Sequence, residues 1–320
     1  MNRTFLPGFA VLAALSLAFA SDAEANNCNP PVGLSEEIVA WAWGENFFAQ
    51  LGDGTMVDRL MPVQVRNLGD LTAVAGGTVH SLALRNDCTV WAWGGNFNGQ
   101  LGDGTTIKRL YPVQVSQLSG LSGATAIAAG RFHSLALKTD GTVWAWGGSS
   151  FGQLGDGTTT DRPFPLQVSN LSGVAAIASS YFHILALSTD GRVWAWGLNE
   201  NGQLGDGTTD DRSTPVQVQN LSGVTAIATG RFHSLALKTD GTVWAWGSNG
   251  AGQLGDGTTT ERHTPVQVQN LSGAAAIAAG LAHSLALTTD GQYWPGVRTA
   301  IFSWVTRHTV AGPRRRRYRA

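Results

Sequence analysis

The sequence predicts an all-β protein, a β-propeller of four-stranded blades with about five full blades in this chain, and three observations predict it. A Trp-Ala-Trp-Gly cassette recurs at Trp41, Trp91, Trp144, Trp194 and Trp244, at intervals of 50, 53, 50 and 50 residues. A fixed period of this length marks one supersecondary unit copied in tandem. Each copy holds four short strand-like runs, and four strands in about 50 residues is the size of one blade. The composition agrees, because 41 glycines in 320 residues and only 13% charged residues suit short strands and tight turns.

The copy at 191–240 serves as a template for the elements in order. Residues 192–196 alternate, with Trp194 and Trp196 on one face and Val193 and Ala195 on the other. Residues 197–214 read as a long polar loop. Residues 215–218 read as a short strand opening on Pro215, where a missing N–H does least harm. Residues 224–228 and 233–237 supply two more strands, parted by a turn at Gly230. Thr239-Asp240-Gly241-Thr242 then reads as a tight hairpin into the next copy. No segment sustains a helical period.

Side-chain sizes fit blades stacked face to face. The tryptophans supply bulk, and Ala226, Ala228 and Ala236 leave room for a neighbour. Each buried Trp removes roughly 150–250 Å² from water, so the cassette tryptophans are assigned to the core.

Two motifs carry a family resemblance. One is Trp-Gly-x-Asn-x-x-Gly-Gln-Leu-Gly, as at 196–205. The other is Gly-x-x-His-Ser-Leu-Ala-Leu, at 77–84, 130–137, 230–237 and 280–287. One copy departs from the second, with Ser180 for Gly and Ile184 for Ser. In register through residues 39–294, these motifs resemble the regulator-of-chromosome-condensation (RCC1-type) repeats, in particular those of an exported bacterial-type member. The resemblance implies a propeller, usually of seven blades, acting as a rigid ring that binds another protein on one face. The light-sensing Gly-Trp-Arg-His-Thr of one plant member is replaced here by Gly-Arg-Phe-His-Ser at 130–134 and 230–234.

The chain ends read differently from the repeats. Arg3 followed by an apolar run at 9–20, with small-x-small sites at 18–20 and 23–25, reads as a secretory signal over residues 1–25. That run is short for a membrane span, so the expectation is an exported protein (periplasmic, cell-surface or secreted) with no membrane insertion after cleavage. Residues 26–38 form an N-terminal segment. Residues 295–320 are an aberrant basic tail, beginning where a sixth cassette breaks at Tyr293-Trp294-Pro295. Pro295 to Thr306 can be encoded so that a frame two bases on reads Trp-Gly-Ser-Asn-Arg-Asn-Phe-Gln-Leu-Gly-Asp. The tail is therefore expected to arise from a frameshift.

Net charge is −1, and removing Arg314, Arg315, Arg316, Arg317 and Arg319 from it leaves −6. A mildly acidic body gives no nucleic-acid surface. Of the two cysteines, Cys88 stands where later copies have the turn glycine. An oxidising compartment would permit a Cys28–Cys88 disulfide; two free thiols are the alternative.

The recurring polar residues read as structural. His80, His133, His183, His233 and His283 hold equivalent positions, too far apart around a ring for most sets to share one metal ion. A hydrogen bond to a nearby loop suits them better. Asp53, Asp103, Asp156, Asp206 and Asp256 lie in Gly-Asp-Gly-Thr, which lacks the alternate oxygen ligands of a calcium loop and suits an Asp bonding its own turn. No nucleophile elbow, phosphate loop or Cys–His constellation is present. The expectation is no enzyme, no catalytic residue, no metal and no cofactor.

Positions that vary between copies are the candidates for recognition. Phe47, Phe48, Phe97 and Phe151 follow the Trp-Gly pairs, and Arg131, Phe132, Tyr181, Phe182, Arg231 and Phe232 precede the histidines. Aromatics with Arg are the usual material of interface hot spots; the alternative is that they cap the blade ends. The function expected is an exported protein-binding scaffold or adaptor, or an inhibitor of another protein. It would act as a monomer on an unknown protein partner, with no nucleic acid expected. The rivals are an exported enzyme with an unrecognised site and the non-functional product of a frameshifted gene.

Overall fold

The structure, a computed structural model, describes residues 38–116 and 120–288. The signal segment, Cys28, the break at Tyr293 and the basic tail lie outside the described residues. Twenty strands and no helix make up the described chain. The first pair is β1 (Trp41–Gly44) and β2 (Arg59–Gln64). A complete blade follows: β3 (Leu71–Gly76), β4 (His80–Arg85), β5 (Val90–Gly94) and β6 (Arg109–Gln114). The next is β7 (Ala124–Ala129), β8 (His133–Lys138), β9 (Val143–Gly147) and β10 (Arg162–Gln167). The third is β11 (Val174–Ser179), β12 (His183–Ser188), β13 (Val193–Gly197) and β14 (Arg212–Gln217). The fourth is β15 (Val224–Thr229), β16 (His233–Lys238), β17 (Val243–Gly247) and β18 (Arg262–Gln267), and the closing pair is β19 (Ala274–Ala279) and β20 (Ser284–Thr288).

Every sheet is an antiparallel meander in chain order. There are four complete blades, one leading half-blade holding the outer two strands, and one trailing half-blade holding the inner two. About five blades of material are thus present, as the repeat predicts. The first strands β3, β7, β11, β15 and β19 touch one another in succession, which identifies them as the inner edge.

The core lies between blades rather than within them. Leu82, Leu84, Leu101 and Val115 of the first complete blade pack against Ile127, Ala129, Ala136 and Trp146 of the next. The same arrangement joins Leu135, Leu154 and Val168 to Ile177, Ile184 and Trp196, and Leu185, Leu204 and Val218 to Ala236 and Trp246. Trp146, Trp196 and Trp246 are fully buried, as the alternation predicts. Trp43 is 59% exposed, since among the described residues no preceding blade packs against its indole. At the other end Leu285 and Leu287 are exposed, whereas Leu235 and Leu237 at the same positions are buried.

One strand boundary differs from expectation. Pro215 sits fourth in β14, not first. β14 is an outer-edge strand whose register shifts between Ala195 and Gly197, and Pro215 falls in that irregular stretch. A residue without an N–H is tolerated where the ladder is already interrupted.

Candidate functional site

The conserved grammar of the repeat resolves into a joint between successive blades. The Gln100 carbonyl accepts from Trp146 Nε1 at 2.9 Å and from Ser134 Oγ at 2.8 Å, both in the following blade. The Gln50 carbonyl accepts from Trp93 and Ser81, and that of Gln203 from Trp246 and Ser234. The indole approaches so closely that a Cβ at Gly102 would lie 2.8 Å from Trp146, and Gly102 also has φ +66°. Both constraints exclude a side chain there.

The histidines complete this joint. His80 Nε2 lies 2.8 Å from Ser134 Oγ, and His183 and His233 meet Ser234 and Ser284 in the same way. Each such serine hydroxyl donates to a glutamine carbonyl, so its oxygen accepts the imidazole N–H. The partner is therefore the next blade's serine, not the nearby loop that the sequence suggests. Burial pushes His80, His133 and His183 down to about 3 and His233 to about 4. They are neutral structural groups across the ordinary pH range.

The aspartates fix the long loops. Asp206 Oδ1 accepts from Thr208 N at 3.0 Å and from Asn199 Nδ2 at 3.2 Å, and Oδ2 accepts from Arg212 Nε at 2.8 Å. Burial raises the affinity of this carboxyl for its proton, but hydrogen bonds from Thr208 and Arg212 outweigh it and hold Asp206 below the usual range. The same Asp–Arg pair recurs at Asp53–Arg59, Asp103–Arg109, Asp156–Arg162 and Asp256–Arg262. Sequence reasoning found the Asp turn but missed its arginine and the glutamine carbonyl. The signal was an Asp followed six residues later by Arg in all five copies.

The variable residues gather at one end of the blades. His133 pairs with Gly147 across β8 and β9, so the turn before the histidine and the loop after Trp-Gly emerge together. Gly148 N donates to the Phe132 carbonyl at 2.7 Å and locks them. Arg131 N reaches the Tyr181 carbonyl, and Arg231 N that of Leu281, each at 3.3 Å, setting turns of successive blades side by side.

All ten predicted contact residues lie in these turns and loops, in two groups. Phe48 stands edge-on between Phe47 and Phe97, with centroids 4.9 and 5.5 Å away, and both outer rings are exposed. The larger group spans three blades. The Arg131 guanidinium lies 4.9 Å from the Phe132 ring, 5.4 Å from Phe182 and 5.7 Å from Tyr181. Arg231 lies 5.0 Å from the other side of this cluster at Tyr181 and 4.7 Å from Phe232. Phe151 joins edge-on through Phe182 at 5.1 Å.

Other features do not converge on this end. A cleft of about 430 Å³ is lined by residues 64–69, Arg85 and Trp91, and another of about 560 Å³ by residues 267–272. Neither includes a predicted contact residue. Among the described residues no three His, Cys, Asp or Glu side chains form a metal-ligating group, and no helix is long and apolar enough to cross a membrane. Cys88 is disulfide-bonded and adopts φ +61° at the turn where other copies carry glycine.

The regulator of chromosome condensation (RCC1) repeat matches residues 39–84, 87–137, 140–187, 190–237 and 240–287. The chain belongs to the RCC1 repeat family. Among curated relatives it is similar to the ultraviolet-B receptor UVR8 of Arabidopsis thaliana, 32% identical over 41% of this chain and 30% of that protein. It is also similar to the human ubiquitin-protein ligase HERC2, 34% identical over 39% of this chain and 3% of the ligase. The chain thus spans less than a third of the curated relatives it matches.

Among solved structures, human WBSCR16 aligns with a TM-score of 0.69 and 25% identity over 78% of this chain and 67% of that one. Yeast RCC1 (Prp20), solved with bound Kap60, aligns with a TM-score of 0.69 and 24% identity over 91% and 71%. A separate structure of Prp20p from Saccharomyces cerevisiae is described with its binding to Gsp1p and histones. The blades here share the fold of these RCC1 structures.

Proposed function

We propose that this chain is an exported scaffold that binds another protein on the turn end of its blades, as an adaptor or an inhibitor with no chemistry of its own. The observation that carries this reading is the assembly of Arg131, Phe132, Phe151, Tyr181, Phe182, Arg231 and Phe232 into one patch. Residues common to all copies hold the joints, and the residues that differ supply the patch. Aromatic and arginine side chains on a rigid frame give large contact area with little conformational entropy to lose. Protein binding by relatives such as Prp20p supports the reading.

The scaffold acts as a monomer, and residues 1–25 direct its export. Capture of proteins from the surroundings of the producing cell tests the proposal, comparing wild type with F132A/F182A/F232A. A defined partner held by wild type and lost from the triple variant, at unchanged circular dichroism and Tm, is the expected result. A partner retained by the triple variant moves the interface elsewhere. N-terminal sequencing of the exported protein tests the signal, with a start near Ser21 or Asn26 expected.

A further inference from the structure

The patch carries two arginines that form no salt bridge among the described residues. Arg59, Arg109, Arg162, Arg212 and Arg262 each pair with the Asp of their own loop, Arg85 with Asp70 and Asp87, and Arg192 with Asp190. Arg131 and Arg231 have no carboxylate partner among the described residues, and both sit over the Tyr181 ring. Two guanidiniums sharing one ring repel each other. Cation–π contact returns little at an exposed site. A guanidinium lying on aromatic rings also keeps its N–H edge directed for paired bonds to a carboxylate, in a setting drier than open water.

From this geometry we propose that the patch takes an acidic segment of the partner protein, with two neighbouring Asp or Glu carboxylates seated on Arg131 and Arg231. The inference rests on the protein-binding reading above and specifies its partner. Phe132 and Phe182 lie against Arg131, and Phe232 lies against Arg231, so apolar rings border both guanidiniums. A nucleic acid fits worse. A polyanion is held by many phosphate contacts, whereas this patch offers two cations.

The test uses the full chain and a labelled peptide of six consecutive glutamates between Gly-Ser flanks. A matched hexalysine peptide and a single-stranded oligonucleotide serve as comparisons, all followed by fluorescence anisotropy. The expected result is saturable binding of the acidic peptide alone, weakened about tenfold or more in R131Q/R231Q and only partly restored in R131K/R231K. Unchanged circular dichroism and Tm exclude unfolding as the cause.

Acidic-peptide binding that equals hexalysine binding, or that survives R131Q/R231Q, overturns the inference. Tighter binding of the oligonucleotide also overturns it, in favour of nucleic acid. Partner capture separates the two levels of the argument. A partner lost from F132A/F182A/F232A but kept by R131Q/R231Q overturns the acidic segment and leaves protein binding standing. A partner kept by both variants overturns both.

Discussion

Ser179 Oγ lies 2.8 Å from His133 Nε2 and is the cross-strand neighbour of Ile184. In the other joints the histidine meets the serine that follows the next blade's histidine, as in His183–Ser234 at 3.0 Å. Ile184 occupies that serine's place in the third complete blade and is fully buried. The hydroxyl has moved one strand inward, and the bond survives.

Replacing Ser179 by Ala leaves the buried His133 ring with neither nitrogen bonded, since its Nδ1 already has no partner. The expected cost is about 1–3 kcal/mol, read from urea unfolding. Ile184→Ser in the same chain would return a hydroxyl to the usual place but also empty a buried core position, so it should not restore the midpoint. An unaltered midpoint in S179A would show that the bond contributes nothing.

The tryptophans should differ by position rather than by type. Trp196→Ala removes a fully buried indole and its 3.0 Å bond to the Gln153 carbonyl, at an expected cost of about 3–5 kcal/mol. Trp43→Ala removes an indole that is 59% exposed and should cost less than about 1 kcal/mol. Parallel thermal melts check the contrast, and equal losses would mean that Trp43 is covered in solution.

Acid should loosen the protein in two separate stages. The folded histidines bind a proton only near pH 3 to 4, while unfolded histidine does so near 6.5. Their contribution is complete above about 6.5 and is lost as pH falls through the interval below it, at about 1.4 kcal/mol per pH unit per histidine. The loop aspartates, held below 3.8, lose their contribution only under stronger acid. Urea midpoints between pH 7 and 4.5 should therefore fall steeply, and H183N should flatten the slope by one histidine's share. A flat profile over that range would contradict neutral burial of these rings.

Gly102→Ala should harm one joint from both of its constraints. The backbone is left-handed there, and the added methyl would press on the Trp146 indole. The expected loss is at least about 1–3 kcal/mol, with reduced protection of the Trp146 indole N–H in hydrogen exchange.

Much of this was legible in the sequence because the repeat states its rules five times. The cassette placed Trp196 in the core, although Val193 and Ala195 on the other face are buried as well, and variation at Arg131, Phe132 and Tyr181 set the candidate contact residues apart from the joint residues. The joint itself was hidden, because its acceptor is the carbonyl of Gln100, a main-chain atom with no letter of its own. Ser179 was hidden for another reason. It departs from the Gly, Ala or Thr of other copies, and only the cross-strand pairing with Ile184 relates the two substitutions. Pro215 was placed at a strand start by the rule for missing N–H groups, whereas the bulge beside it meets the same need.

The use of a main-chain carbonyl as the common acceptor has a consequence for change. No substitution at position 100, 153 or 203 can delete the acceptor, and the donors all lie on strands of the following blade. Each copy therefore behaves as an interchangeable cartridge that meets its neighbours by one coupling and displays its own bristles at the rim. Residues 47, 97, 131, 151, 181 and 231 could be randomised together as a library on an unaltered chassis. Whole copies could be exchanged without redesigning the joint between them.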